Sequence, residues 1–326
     1  MRSILKQNRF NKEFIMKKAI VTGANGFIGS KLINELCSKD YFVYAIVKDK
    51  NENISYLPKV DNIQIVYCDL QQILELEHLI VSDTPIDVFF HLAWIGVSTS
   101  YKNDFAIQFQ NISYAYNAIC VADALGCLKF VSTGSLSECA YAGGAVDGSE
   151  RPSPSDFYSC AKIAARYFCM LYAEKHDINI NWCLITSLYG PGRLDNNILT
   201  YTILALLKGE DTEYTKLEQR WDYTYIDDLI SALILVGEKG KNREIYSIGS
   251  GENRVLKEYV EVIYRILAPE KELVVGQKPY KTSGIDNSIA DISKITRDTG
   301  YHPSVRFETG IERTIDFLKE YLKTVV

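Results

Sequence analysis

Two rhythms of apolar residues alternate along the chain. Short β-branched or apolar runs, of the length that fills a buried strand, occur at 18–22, 42–47, 63–67, 86–92, 128–133 and 179–186. Between them lie longer stretches with apolar residues at helical spacing: 28–38, where Ile28, Leu32 and Leu36 share one face, then 70–81, 105–125 and 157–176. Strands apolar on both faces, each followed by an amphipathic crossover, bury themselves as a parallel sheet with helices on either side. The pattern therefore predicts an α/β fold, a Rossmann-type doubly wound parallel sheet. After Tyr189-Gly190-Pro191-Gly192 the alternation breaks down, and helices predicted at 198–208, 226–239, 256–267 and 308–323 are joined by short pieces. The expected division is a main domain over 16–190, to which 223–250 returns, and a smaller carboxy-terminal α/β lobe made of 191–222 and 251–326. Residues 1–15 carry Arg2, Lys6, Arg9 and Lys12 but no apolar core of a secretory signal, and are expected to be a disordered extension.

Directly after the first run stands Thr22-Gly23-Ala24-Asn25-Gly26-Phe27-Ile28-Gly29, opening the first helix. Glycine is required where a backbone turns sharply, approaches a pyrophosphate, or lets helix meet strand, and the helix N-terminus offers N–H donors to the anion. A strand on one side and an amphipathic helix on the other make this a dinucleotide-binding turn, with Gly23, Asn25, Gly26, Phe27, Ile28 and Gly29 against the cofactor. A carboxylate at the end of the second strand would hold a free ribose 2′-hydroxyl, and a cation a 2′-phosphate. Val47 stands where the acid would be and Lys48 follows, which favours NADP; Asp49, one place late, leaves NAD as the alternative. Asp69 and Leu70 end the third strand, where Asp69 either meets the adenine or merely starts a helix.

Tyr158 and Lys162, four apart near the start of the predicted helix 157–176, project from one face. A nearby cation favours phenolate and would draw the tyrosine pKa toward working pH, making Tyr158 an acid or base for a carbonyl oxygen. Chance produces this spacing on many helices. The upstream hydroxyl cluster Ser132-Thr133-Gly134-Ser135 at a strand end and the glycine turn give it weight.

Composition narrows the field. A net charge of −5 and a pI near 5.6 give no general attraction for nucleic acid. The 8 cysteines include no C-x-x-C pair and no neighbouring histidine cluster, so they are expected as free thiols of a reducing, cytoplasmic compartment, with no metal site. The apolar stretch 88–97 is broken by His91 and falls short of the ~20 residues of a membrane helix.

Taken in order, T-G-A-N-G-F-I-G, His91-Leu92-Ala93, the hydroxyl cluster, Tyr158-Ser159-Cys160-Ala161-Lys162, Y-G-P-G at 189–192 and Tyr223-Thr224-Tyr225-Ile226-Asp227-Asp228 resemble the extended short-chain dehydrogenase/reductase family, in its nucleotide-sugar epimerase, dehydratase and 4-ketoreductase branch. The likeness runs over about residues 17 to 323 and ends on Thr299-Gly300-Tyr301-His302-Pro303, similar to the family's L-G-W-x-P. It implies that Tyr158 is the acid/base, that Lys162 holds the nicotinamide ribose, and that Ser135 polarises the substrate oxygen, with Thr133 the alternative register and otherwise a substrate contact. Leu92 and Ala93 would line the cofactor, and Asn111 would orient the lysine through water unless it merely faces solvent. The smaller lobe would bind the nucleotide sugar.

Departures from the family pattern choose between its branches. Dehydratases follow the hydroxyl with Asp-Glu, whereas Leu136 and Ser137 stand here, which disfavours water elimination. The acid after strand two, usual in NAD-retaining epimerases, is displaced. The family's R-D-F/Y becomes Trp221-Asp222-Tyr223 with the arginine at Arg220, and the asparagine before Y-G-P is Ser187. Arg193, Arg220, Lys281 and Arg306 are the replacement candidates for the diphosphate. The expected reaction is reduction of a nucleotide-linked 4-keto-6-deoxyhexose by NADPH. The alternatives are a UDP-hexose 4-epimerase with retained NAD and a non-catalytic dinucleotide sensor. The resemblance also implies a homodimer through 105–125 and 157–176, unless those helices are buried within one chain.

Overall fold

The computed structural model describes residues 16–98, 100–195, 197–280 and 289–325, so the amino-terminal extension and Lys281 lie outside the described residues. In chain order the elements are β1 (Lys18–Thr22), α1 (Phe27–Ser38), β2 (Phe42–Val47), β3 (Ile63–Tyr67), a 3₁₀ turn (Leu70–Glu75), α2 (Leu76–Leu79), β4 (Val88–His91), α3 (Phe105–Ala124) and β5 (Lys129–Ser135). A second 3₁₀ turn (Leu136–Glu138) precedes α4 (Phe157–His176), β6 (Asn179–Ile185), β7 (Ser187–Tyr189), α5 (Ile198–Lys208), β8 (Arg220–Trp221), β9 (Tyr223–Tyr225) and α6 (Ile226–Lys239). The chain closes with β10 (Ile245–Ile248), β11 (Arg254–Val255), α7 (Leu256–Leu267), α8 (Ser293–Thr299) and α9 (Phe307–Val325).

Seven strands form one parallel sheet in the order β10-β6-β5-β4-β1-β2-β3, the Rossmann-type arrangement that the apolar runs predict. Its alternating side chains feed two cores. Ala19, Val21, Val43, Ala45 and Val131 meet Leu32, Ile33, Ile230 and Leu233 of α1 and α6 on one face; Ile20, Ile46, Phe89, Phe130 and Trp182 meet Ala115, Ile119, Ala165 and Cys169 of α3 and α4 on the other. With helices covering both faces, the inner strands are largely apolar on both sides, while the edge strand β3 exposes Gln64. Helices α5, α7 and α9 and two small two-stranded sheets, β11-β8 and β7-β9, pack beyond the carboxyl ends of the main sheet's strands around Tyr189, Tyr223, Tyr259 and Phe307.

Two expectations need correction. The helix expected over 70–81 is a 3₁₀ turn followed by the four residues of α2, because the Asp69 carboxylate caps Gln71 N–H at 2.9 Å and Gln72 leaves helical geometry at φ −113°. Strand β5 runs two residues past the expected end at Thr133, to Ser135, paired with β6 throughout.

Candidate active site

Reversal of strand order between β1 and β4 opens a crevice at the carboxyl ends of the strands, where ligands of such sheets bind. Thr22 ends β1 fully buried, and its hydroxyl contacts His91 Nδ1 at 3.0 Å and accepts the N–H groups of Leu92 and Ala93 at 3.1 and 3.2 Å, stitching the glycine turn to the end of β4. Gly23 has φ +69°, and a Cβ on it would press on Ala93. A Cβ on Gly29 would collide with the Gly23 carbonyl, so helix meets strand only through glycine. Helix α1 starts behind Gly26 with no side-chain cap and no acid in its first turn, leaving its N–H groups for an anion. These features fit a dinucleotide pyrophosphate.

A cavity of about 570 Å³ occupies the crevice. It brings together Gly23, Gly26, Phe27, Ile28, Gly29, Leu92 and Ala93 on the cofactor side with Thr133, Ser135, Tyr158 and Lys162, and continues to Ser187 and Arg193. A larger groove of about 1040 Å³ lies between α1 and α6 at the other end of β1, and two of its three lysines are paired with acids, Lys17 with Glu238 at 2.7 Å and Lys39 with Glu35 at 3.3 Å.

Asn25, Lys48, Asp69, Leu70, Asn111 and Arg220 are not among the residues lining the 570 Å³ cavity. Asn25 donates to the Glu52 carboxylate at 3.1 Å, an acid the sequence reading passed over, while Asp49 closes a turn by accepting from Asn51 N–H at 2.8 Å. Lys48 is exposed, 3.8 Å from Asp69, and Leu70 packs against the α3-side core. Asn111 is buried, so the solvent-facing alternative is wrong. Its amide holds the loop after β4, accepting from Ile95 N–H and donating to the Ile95 carbonyl, each at 2.9 Å. Arg220 turns to the Asn253 carbonyl at 2.8 Å, and Arg306 is exposed. Arg193 donates to the Leu188 carbonyl and to Asp195 Oδ2, the latter at 2.7 Å.

Helix α4 is placed by a capping box in which Asp156 accepts from Ser159 N–H at 2.7 Å. That start sets Tyr158 and Lys162 against the end of β5. The Lys162 ammonium donates to the Thr133 carbonyl at 2.7 Å and lies 3.6 Å from the centre of the Trp94 ring and 5.9 Å from that of Tyr158. Lys102 stands 5.0 Å over the Tyr158 ring, and Trp94 meets the phenol edge-on at 6.0 Å. Trp94 directly follows His91-Leu92-Ala93 and was within reach of sequence reasoning; Lys102 carried no signal of its own.

Electrostatics here depart from the expectation that Lys162 lowers the phenol. Burial pushes Tyr158 above its ordinary value, Glu138 adds to this, and a hydrogen bond with Ser135 works against it. Burial takes Lys162 down to about 7, with Glu138 opposing. Thus at neutral pH the phenol keeps its proton, and burial makes the lysine give up its proton more readily than a free ammonium does. Among the described residues, no cluster of histidine, cysteine or acid side chains forms a metal site, and no helix is long and apolar enough to cross a membrane.

The model of the NAD dependent epimerase/dehydratase family matches residues 19–249. The chain belongs to this family. It spans nearly the full length of its relatives, within the extended short-chain dehydrogenases/reductases that act on nucleotide sugars. A dTDP-4-dehydro-6-deoxyglucose reductase from Escherichia coli is 27% identical over 318 residues, covering 92% of this chain and 97% of its own. A CDP-abequose synthase from Salmonella muenchen is 26% identical over 308 residues, 92% of this chain and 98% of its own. Among solved structures, a UDP-glucuronic acid 4-epimerase from Bacillus cereus with UDP-glucuronic acid and NAD superposes at TM-score 0.81 with 27% identity, over 93% of this chain and 99% of its own. A UDP-glucose 4-epimerase from Thermotoga maritima with UDP-glucose shares the fold at TM-score 0.82 and 22% identity, over 94% and 99%. As a family member, the chain is an enzyme of the nicotinamide-dinucleotide class.

Proposed function

We propose that this enzyme reduces the C4 ketone of a nucleotide-linked 4-keto-6-deoxyhexose with NADPH. The observation that carries the reading is the composition of the cavity: one phenol, Tyr158, stands with Ser135 and Lys162, and the sole carboxylate among the described lining residues, Asp195, is held by Arg193. Water elimination needs a further acid and base beside the phenol, and nothing along this wall supplies them. A single proton transfer needs only what is present.

When bound, the nicotinamide supplies hydride. The glycine turn and the first turn of α1 would hold its pyrophosphate, Leu92 and Ala93 would line its path, and Lys48 would meet the ribose phosphate. Ser135, whose hydroxyl accepts from the N–H and hydroxyl of Ser137 at 3.2 and 2.9 Å and lines the cavity with Tyr158, polarises the substrate oxygen; Thr133, whose carbonyl receives Lys162, contacts substrate beside it. Tyr158 gives its phenolic proton to the developing alkoxide, which its raised pKa permits at neutral pH, and Lys162 holds the nicotinamide ribose and stabilises the phenolate left behind. Ser187 and Arg193, which line the cavity, would meet the diphosphate; Arg220 and Arg306, which do not line it, are the further candidates. The main domain over 16–190 with 223–250, and the nucleotide-sugar lobe over 191–222 and 251–326, remain our division of the chain. Exposed Phe105, Phe109, Tyr116, Phe157, Phe168 and Leu171 on α3 and α4 support a homodimer through these helices, and eight free cysteines support residence in the cytoplasm.

A second reading, 4-epimerisation of a UDP-hexose on retained NAD, is favoured by the solved epimerases that hold NAD at 26–27% identity. Mass analysis of the nucleotide released on denaturing freshly purified enzyme separates the two. The reductase gives substoichiometric dinucleotide and binds added NADPH; one NAD per chain would support the epimerase instead.

A further inference from the structure

Glu138 follows Ser135 by three residues, yet its side chain turns beneath the strand end and away from the cavity. It is completely buried. Its Oε1 accepts the Ser135 N–H at 3.1 Å and the Trp182 indole N–H at 3.0 Å, and Oε2 lies 3.3 Å from Nε of Arg166, which is also buried. Arg166 comes one helical turn after Lys162, so the carboxylate sits under the same face of α4 that carries the acid/base pair. Room for it exists because residue 134 is glycine: a Cβ there would collide with both Glu138 Oε1 and the Trp182 indole nitrogen. Burying two charges costs several kcal/mol before pairing, and an apolar pair of similar volume usually serves stability as well or better. A role in the site accounts for retaining them.

We propose that Glu138 is a positioning residue, whose buried carboxylate fixes the Ser135 end of β5 against Tyr158 and supplies the counter-charge that keeps Lys162 an ammonium inside the closed site. The inference rests on the acid/base reading of Tyr158 and Lys162 and extends it to a group that touches neither cofactor nor substrate.

The groups facing Lys162 are the Thr133 carbonyl from β5, the Trp94 ring after β4, His91 from β4, Tyr158 and Cys169 from its own helix, and Glu138. Burial holds His91 neutral and the Cys169 thiol protonated, which leaves Glu138 as the anion that favours the charged lysine. Glu138 itself is faced by Arg166, Lys162, Tyr158 and Cys139. Burial raises its pKa, but Oε1 accepts the Ser135 and Trp182 N–H groups and the Arg166 guanidinium lies 3.3 Å from Oε2 as a counter-charge without a hydrogen bond; all three favour the ionised form against that burial.

The test uses the full chain with ¹³Cε-labelled lysine, the Lys162 resonance being assigned by its loss in Lys162→Met. Glu138→Gln keeps the shape and a carbonyl acceptor but removes the charge. An ammonium that loses its anion gives up its proton at lower pH, so the Lys162 midpoint is expected to fall by about one pH unit or more. The alkaline limb of kcat/KM moves down with it, while activity at the acid end of the profile stays within about tenfold. Glu138→Asp restores the midpoint. Since Glu138→Gln strands Arg166, the double variant Glu138→Gln/Arg166→Met removes both charges and is read if the single does not fold; the Lys162 midpoint is expected to fall there too, by less than in the single variant, because loss of the Arg166 cation favours the ammonium. An unmoved midpoint in the folded variant, or an equal loss of kcat/KM at every pH, overturns the proposal. The resonance needs no substrate, so it fails or succeeds apart from the proposed reaction, which Tyr158→Phe tests alone.

Discussion

A lysine ammonium lying against an indole ring and one carbonyl has given up most of its water, which is why Lys162 falls to about 7 while the neighbouring phenol rises. The expected direction for Tyr158 came from counting charges along a helix. Its reversal came from burial, which one helix does not reveal. Ser135 and Tyr158 were legible because their spacing from the glycine turn is a property of chain order. Trp94, Lys102 and Glu138 were not used because their importance lies in what the fold places opposite them. Cofactor choice also belongs to single residues. Under the proposed use of NADPH, the exposed Lys48, 3.8 Å from Asp69, is the cation for the 2′-phosphate. Lys48→Ala is expected to weaken NADPH binding about tenfold, the loss of one charge-assisted contact, and to leave NADH unchanged. Fluorescence titration of both nucleotides checks it, and parallel losses would remove Lys48 from the ribose site.

Among the elements, six of the seven sheet strands were read to within two residues because each is a largely apolar run, whereas β10, a strand of four residues beyond the point where the regular alternation ends, was not read as a strand. The 70–81 segment misled because apolar spacing is satisfied equally by a 3₁₀ turn and a short helix, and a local Asp69 cap decided between them. The short strands β7, β8, β9 and β11 hold two or three residues each, too few for any periodicity to register. Helices α3 and α4 pack on the sheet through Ala115, Ala118, Ala122, Ala165 and Ala173, small residues that let them approach closely, and expose aromatics on the far side. Light scattering of the purified chain is expected to give a dimer, and Phe168→Glu, which puts a charge on that exposed face, a folded monomer. A wild-type monomer, or a variant that remains dimeric, would move the interface elsewhere.

At the scale of the whole molecule, titration of buried groups sets the pH range of stability. Burial raises seven thiols above their ordinary 9.0: Cys37, Cys120 and Cys169, Cys68 and Cys139 to about 11, and Cys127 and Cys183 to about 12. Below pH 9 these thiols hold their protons folded or unfolded; above it the unfolded chain releases them first, so their stabilising contribution is lost as pH rises. Lys162 and Lys129, with lowered pKa values, push the other way as pH climbs toward 10.5. Buried tyrosines such as Tyr158, Tyr189, Tyr223 and Tyr301, raised from 10.0, act with the thiols above pH 10, so the raised groups outnumber the two lysines and decide the sign. The melting temperature under reducing conditions is expected to fall steadily from pH 9 to 11, and a flat or rising curve would show that the thiols are less enclosed than the packing indicates.

The central claim is that Tyr158 delivers the proton at a carbon reduced by the dinucleotide held in the β1 turn. The most direct measurement follows NADPH absorbance in the presence of a nucleotide-linked 4-keto-6-deoxyhexose, for the enzyme and for Tyr158→Phe, with NADPH affinity determined for both. Loss of the proton donor is expected to lower kcat/KM by about 10²- to 10⁴-fold while nucleotide affinity stays within about threefold. Undiminished turnover in Tyr158→Phe, or no NADPH consumption by the wild-type enzyme, would contradict it.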